Sequence, residues 1–321
     1  MHILIAPNAF KNSLDAGDVA AAINEGLKQS NLTCTTTPFP VGDGGDGTGA
    51  LIIQHLNGTV IKVKVQDPFG RKISSSFGLI DNGNTAVIEM ANASGLRLLK
   101  PNELDPLHAS SFGTGELIKQ ALDKNVDKII ICVGGSATVD GGSGILQALG
   151  FIFLDKHKKE LNKLPGKLME ADAIDFSTID PRIANCKLII LCDVENKLLG
   201  KEGAAAIFGP QKGASPADVE KLEASLSNLK EVILKLTGKD ISTIKHGGAA
   251  GGVAAALSAL LNAQLVNGID YFLSLTGFET VLENTDLVIT GEGSIDEQTL
   301  QGKGPFGVAK KAKDKKLPVI G

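Results

Sequence analysis

Five polar segments interrupt otherwise apolar stretches, and between them they hold the side chains that phosphoryl transfer calls for. They are Pro7-Asn8-Ala9-Phe10-Lys11-Asn12-Ser13, Gly42-Asp43-Gly44-Gly45-Asp46-Gly47-Thr48, residues 134–142, residues 193–196 and residues 291–296. That chemistry needs amides and a lysine for phosphate oxygens, carboxylates for a companion Mg2+, and a base for the attacking hydroxyl. Taken singly, each segment also has a plain structural meaning. A glycine pair after a strand commonly makes a tight turn, and an acid opening a helix, as at Asp296, commonly caps it. Asp193 is harder to set aside, because it follows the apolar run Leu188-Ile189-Ile190-Leu191-Cys192. A carboxylate at the mouth of a buried strand is costly unless paired, hydrogen-bonded or metal-bound.

The segment at 42–48 allows a second chemistry. Gly42, Gly44 and Gly47 satisfy GxGxxG, and Asp67 falls where a dinucleotide-binding fold places its ribose-binding acid. An NAD(P)-dependent oxidoreductase is therefore an alternative. Against it, Asp43 and Asp46 set two negative charges where a pyrophosphate would lie. The motif also follows the second strand, whereas the fingerprint marks the first. Neither a GxxxxGK[ST] loop nor the protein-kinase signature set is present.

These loops need strands to carry them, and the pattern supplies apolar strands alternating with amphipathic helices. Residues 3–6, 35–41, 129–133, 188–192 and 287–290 read as strands of a largely parallel sheet. Ala16, Val19, Ala20, Ile23 and Leu27 form the buried face of a first helix capped by Ser13 or Asp15, and residues 49–56 a second. Between Val60 and Met90 the alternation and turn residues predict antiparallel ribbons. Ser215-Pro216 opens a long helix with Leu222, Leu226, Leu229, Ile233 and Leu236 on one side. Residues 249–266 read as a buried helix, being too rich in Gly and Ala for a membrane span.

The expected architecture is α/β in two domains. One is a discontinuous flavodoxin-like or Rossmann-like domain, residues 1–60 and 265–321, and the other an inserted mixed α/β domain, residues 61–264. The chain closes on a strand-like stretch without a following helix, so the first domain is expected to be cut short at its C-terminus. The 321 residues carry a formal charge of −4, no Trp and one Tyr, which argues against nucleic acid as a partner. Four cysteines without CxxC spacing, and an N-terminus lacking a basic leader, predict a cytoplasmic protein.

Read together and in order, the loops resemble the type I glycerate kinases over essentially the whole chain. The resemblance runs through residues 6–14 and 42–48, Gly113-Thr114-Gly115-Glu116, residues 134–142 and Cys192-Asp193-Val194. It continues with Phe208-Gly209-Pro210-Gln211-Lys212-Gly213, Gly248-Ala249-Ala250-Gly251-Gly252 and Thr290-Gly291-Glu292-Gly293-Ser294. It implies ATP-dependent phosphorylation of D-glycerate, mainly to 2-phosphoglycerate, with Mg2+ accompanying ATP and the active site in the cleft between the two domains. On this reading Asp193 is the base, with Lys11 and Asp43 beside it in the catalytic centre. Asp46, Ser13 and Thr48 contact the substrate, while Gly134, Gly135, Ser136, Thr138 and Lys212 hold nucleotide phosphates. Glu292 and Asp296 add metal contacts. Glycerate is the expected partner, with neither nucleic acid nor membrane, and a homo-oligomer is left open. Where the family usually reads Asp-Ser-Phe-Lys-Gly-Ser, this chain has Asn8-Ala9-Phe10-Lys11-Asn12-Ser13. That change is the ground for a further alternative, a non-catalytic sugar-acid sensor on the same scaffold.

Overall fold

The structure is a computed structural model that describes residues 1–11, 13–162, 164–294 and 303–321. Its strands are β1 (His2–Ile5), β2 (Thr35–Pro38), β3 (Thr59–Gln66), β4 (Lys72–Ile80), β5 (Thr85–Glu89), β6 (Lys128–Cys132), β7 (Ile152–Leu154), β8 (Ala173–Asp175), β9 (Lys187–Cys192), β10 (Gln264–Asn267), β11 (Leu287–Ile289) and β12 (Val319–Ile320). One sheet has the order β12-β11-β1-β2 and is parallel throughout, pairing Ile3 with both Leu287 and Thr36. A second has the order β10-β9-β6-β5-β4-β3, parallel from β10 to β5 and antiparallel from β5 to β3. β7 and β8 form a separate antiparallel pair.

Local chemistry explains the two halves of the larger sheet. β6 and β9 are nearly unbroken apolar runs, as strands covered on both faces must be. β3 alternates lysines with partly buried valines and isoleucine, and it turns into β4 where Asp67 accepts from the amides of Phe69 and Arg71.

Three layers of side chains follow. Ile3 and Ile5 pack on Ala20 of the helix Ala16–Gln29, whose N-cap is Asp15 rather than Ser13. Leu4 faces the other way, into a cluster with Ile52, Val87, Ile130, Ile189, Leu191, Phe272 and Phe278 that lies between the sheets. The helices Thr48–His55 and Gly268–Leu275 carry part of that layer. Behind the larger sheet sit the helices Phe112–Leu122, Ser143–Ala148, Pro216–Thr237 and Val253–Leu261.

The long helix begins on a reciprocal cap between Ser215 and Asp218, and ends at Gly238 with φ 72°. Its buried stripe stops at Ile233, since Leu236 is exposed. Residues 249–266 are not one helix. A short 3-10 turn, Ala249–Gly252, precedes the helix Val253–Leu261, and Asn262 at φ 52° ends it before β10. Gly251 and Gly252 also have positive φ, which a continuous helix forbids. The carboxyl ends of β1, β2, β6, β9 and β11 all feed the polar loops, which is where open α/β sheets bind their ligands.

Candidate active site

The loop at 42–48 bridges the two sheets. Its entry extends β2, with the Val41 amide donating to Pro7 O. Gly44, at φ 97°, lies so close to β9 that a Cβ there would meet Leu191 O at 2.9 Å. The Gly134 amide donates to Gly44 O at 3.0 Å, and a Cβ on Gly134 would meet Gly45 Cα at 2.3 Å. Two glycine loops therefore press backbone to backbone, a contact only glycine permits.

Three glycine amides of the first loop are already engaged. Gly44 N donates to Thr48 Oγ1 at 3.0 Å, Gly45 N to Asp43 Oδ1 at 3.1 Å, and Gly47 N to the Glu89 carboxylate. Thr48 is buried and its hydroxyl oxygen serves the loop. A dinucleotide pyrophosphate would meet spent donors and two acids, so the GxGxxG pattern here marks a close-packed turn.

Asp43 and Asp193 form the centre. Asp43 is 8 % exposed and accepts from Asn8 Nδ2 at 2.8 Å and from the Gly304 amide at 3.3 Å. An aspartate at position 8 would face Asp43 as a like charge, whereas Asn8 donates to it. Asp193 follows β9, and burial followed by the charge of Asp43 pushes its carboxyl up to about 6. The charges of Lys11 and Lys303 pull it partly back. A Cβ on Gly45 would lie 2.9 Å from Asp43 Oδ1 and 3.9 Å from Asp193 Oδ2, so both acids border the space that glycine leaves.

Lys11 is exposed, on a segment that touches Gly293, where an added Cβ would come 3.2 Å from the Lys11 amide nitrogen. That segment is tied to the late loop by Asn8 N donating to Gly291 O. Glu292 in that loop is half-buried, and Asp296 lies outside the described residues. Ser13 is exposed, its amide donating to Phe10 O. Among the described residues no three His, Cys, Asp or Glu side chains converge as a cation site.

The loop at 134–142 is built differently. Lys212, 2 % exposed, reaches in to donate to Ser136 Oγ at 2.9 Å and Thr138 O at 2.7 Å. Burial pushes its ammonium down to about 7, against the opposing pull of Asp140 and Asp193. Asp140 is fully buried and accepts from Ser111 N, Ser111 Oγ, Gly142 N and Gly144 N at 2.6–3.2 Å. Four donors satisfy a carboxylate that burial would otherwise penalise. The buried Thr138 hydroxyl has no protein partner among the described residues. Gly135, at φ 69°, faces Asp46, whose Cβ and Cγ would lie 3.2 Å from an added Cβ. Asp46 itself is exposed and pairs with Arg97 Nη1 at 2.9 Å.

The structure thus brings Asp43, Asp193 and Lys11 together, and separately Ser136, Thr138 and Lys212. Asp46 stands between the two groups, Ser13 is exposed beside Phe10, and the Thr48 hydroxyl oxygen accepts from the Gly44 amide. Three residues escaped the sequence reading. Glu89 ends β5 and is 6 % exposed, its carboxyl raised by burial and by Asp46. Its signal is the one that marked Asp193, an acid at the mouth of an apolar strand. Asp140 lies inside the 134–142 glycine segment with nothing in the sequence to mark its role, and Arg97 carries no signal at all.

Comparison with known proteins agrees along the whole chain. The model of the glycerate kinase family matches residues 3–321. Glycerate 2-kinase of Escherichia coli (strain K12) is 45 % identical over 321 residues, covering 100 % of this chain and 84 % of that protein. Glycerate kinase of Bacillus subtilis (strain 168) is 44 % identical, with the same two coverages. A crystal structure from Salmonella typhimurium LT2, assigned as a glycerate kinase 2, superposes with a TM-score of 0.87 at 44 % identity. It covers 100 % of this chain and 86 % of the other.

Proposed function

We propose, for a chain that belongs to the glycerate kinase family and is a kinase phosphorylating glycerate, that Asp193 is the base for the attacking hydroxyl. The observation that carries this assignment is a strand-end carboxyl raised to about 6, set against Asp43 where the two sheets meet. A base poised below neutral pH is ionised when the enzyme works, yet basic enough to take a proton. ATP is the phosphoryl donor, and 2-phosphoglycerate the product this reading favours, in line with the E. coli relative's name.

Asp43 orients glycerate or holds Mg2+, its own geometry fixed by Asn8 and the Gly304 amide. Mg2+ fits here, because two acids bordering Gly45 repel each other and a divalent cation relieves that repulsion. Magnesium in such sites commonly takes one or two carboxylates and completes its shell with phosphate oxygens, so a three-acid cage is not required. When bound, it neutralises charge on the phosphates. Asp43 would be its first protein contact, with Glu292 as a second. Lys11 offsets the negative charge of glycerate or of the transferred group.

The loop at 134–142 receives the phosphates. Ser136 and the Thr138 hydroxyl face them, with Gly134 and Gly135 setting the turn, while Lys212 supplies positive charge from behind. Residues 1–60 with 265–321, and residues 61–264, act as two domains that close over these groups and exclude water. Deciding this takes one assay, ATP consumption and phosphoglycerate formation with and without D-glycerate. Glycerate-dependent turnover abolished by EDTA is expected. Turnover undiminished by EDTA removes the Mg2+ assignment, and glycerate binding without ATP consumption would mark a sensor.

A further inference from the structure

A cavity of about 460 Å³ opens beside the site, between the helix Thr48–His55 and strands β4 and β5. Its volume lies within the roughly 300–1,000 Å³ of small-molecule pockets. Ile53, Phe77 and Val87 give it apolar walls, and the amide side chains of Gln54, Asn57 and Asn92 give it a polar edge. A flat heteroaromatic base, apolar on its faces and hydrogen-bonding at its rim, matches that lining.

The cavity is wired to the phosphate loop. Glu89 forms one wall and takes the Gly47 amide, so it touches the loop that carries Asp43 and Asp46. Asn92, on the same side, accepts from Arg97, whose guanidinium reaches Asp46. Asp46 in turn lies against Gly135, next to Ser136 and its partner Lys212. A path therefore leads from the cavity past one cation to a hydroxyl held by a second. Arg97 and Asp46 are 46 % and 42 % exposed, so their pairing is weakly held and can yield to a phosphate oxygen.

We propose that this cavity takes the base and ribose of ATP, with Arg97 meeting the phosphates as they run toward Ser136 and Lys212. The inference rests on the kinase reading above. Another cavity, about 710 Å³, is rimmed by Glu103, Asp105 and Asp218 against a single arginine, Arg71, and that excess of acid opposes an anionic nucleotide.

The test fills the cavity from its exposed rim. Val60 is 54 % exposed on an edge strand and Ala50 is exposed on the helix, and both line the opening. Val60→Trp and Ala50→Trp are expected to raise the KM for ATP by about tenfold or more, with the KM for glycerate within about twofold of wild type. The chain contains no Trp, so each variant also carries a unique fluorophore whose emission should shift on adding ADP. If both variants keep the wild-type KM for ATP and show no ADP-dependent emission change, the cavity assignment is overturned and the kinase reading stands. Wild-type protein that consumes no ATP with glycerate overturns the kinase reading itself. Should one variant fail to fold by circular dichroism, calorimetric titration of ADP into the other decides the matter.

Discussion

The loops at 42–48 and 134–142 each follow a parallel-paired strand and carry four glycines apiece, yet one presents carboxylates and the other encloses a lysine. In the first, Asn8, the Gly304 amide and Glu89 surround Asp43 and the loop backbone. In the second, Asp140 is turned inward onto four donors, and Lys212 comes from 76 residues away to meet Ser136. Glycine governs how closely backbone approaches backbone. The sign of the charge is decided by what packs behind the loop.

The largest effect should come from the acid side. Asp193→Asn keeps the shape and removes the base, so kcat should fall by roughly 10²-fold or more. Thermal stability should hold or rise, because a carboxyl raised by burial resists ionisation in the folded state. A variant with near wild-type kcat would make Asp193 structural and leave the acid side without its base.

On the lysine side, Lys212→Met should raise the KM for ATP roughly ten- to a hundredfold, the scale of a charged hydrogen bond of about 1.5–3 kcal/mol. The same lysine leaves a pH signature. Between about 7 and its ordinary value the unfolded chain holds a proton that the folded chain lacks, so nucleotide-free stability should rise with pH. Chemical denaturation across that window checks the slope, and Lys212→Met should flatten it. An unchanged slope would mean that Lys212 stays charged in the nucleotide-free protein.

Within the first loop the two acids should differ. Asp43→Asn should raise the glycerate KM or lower kcat more than Asp46→Asn, whose half-exposed pair with Arg97 is worth about 0–1 kcal/mol. Neither should gain affinity for NAD in a calorimetric titration. Tighter NAD binding by either variant would restore the pyrophosphate reading of the loop.

Much of this frame was legible in the residues. The Ile129-Ile130-Ile131 run, the Leu188–Leu191 run and the capped helix after Ser215 emerged where pattern placed them, because each is set by local periodicity and capping. The break of the expected helix at 249–266 was less visible, since Gly251, Gly252 and Asn262 act through φ rather than polarity. At the site, Asp193 could be found from its strand. The hold of Lys212 on Ser136 and that of Asp140 on Ser111 could not, being tertiary contacts across 76 and 29 residues.

The pairing of β1 with β11 sets an order of events during synthesis. β2 is within about thirty residues of β1, so one edge of the first strand can be satisfied early. The other edge waits for Leu287 to leave the ribosome, which at about 5–20 residues per second takes roughly 15–60 s. Throughout that interval Ile3, Leu4 and Ile5, all fully buried at the end, sit on a strand with an open side. The nascent chain thus carries an adhesive edge along β1 through that interval, and a chaperone that binds short apolar strands would find its target there.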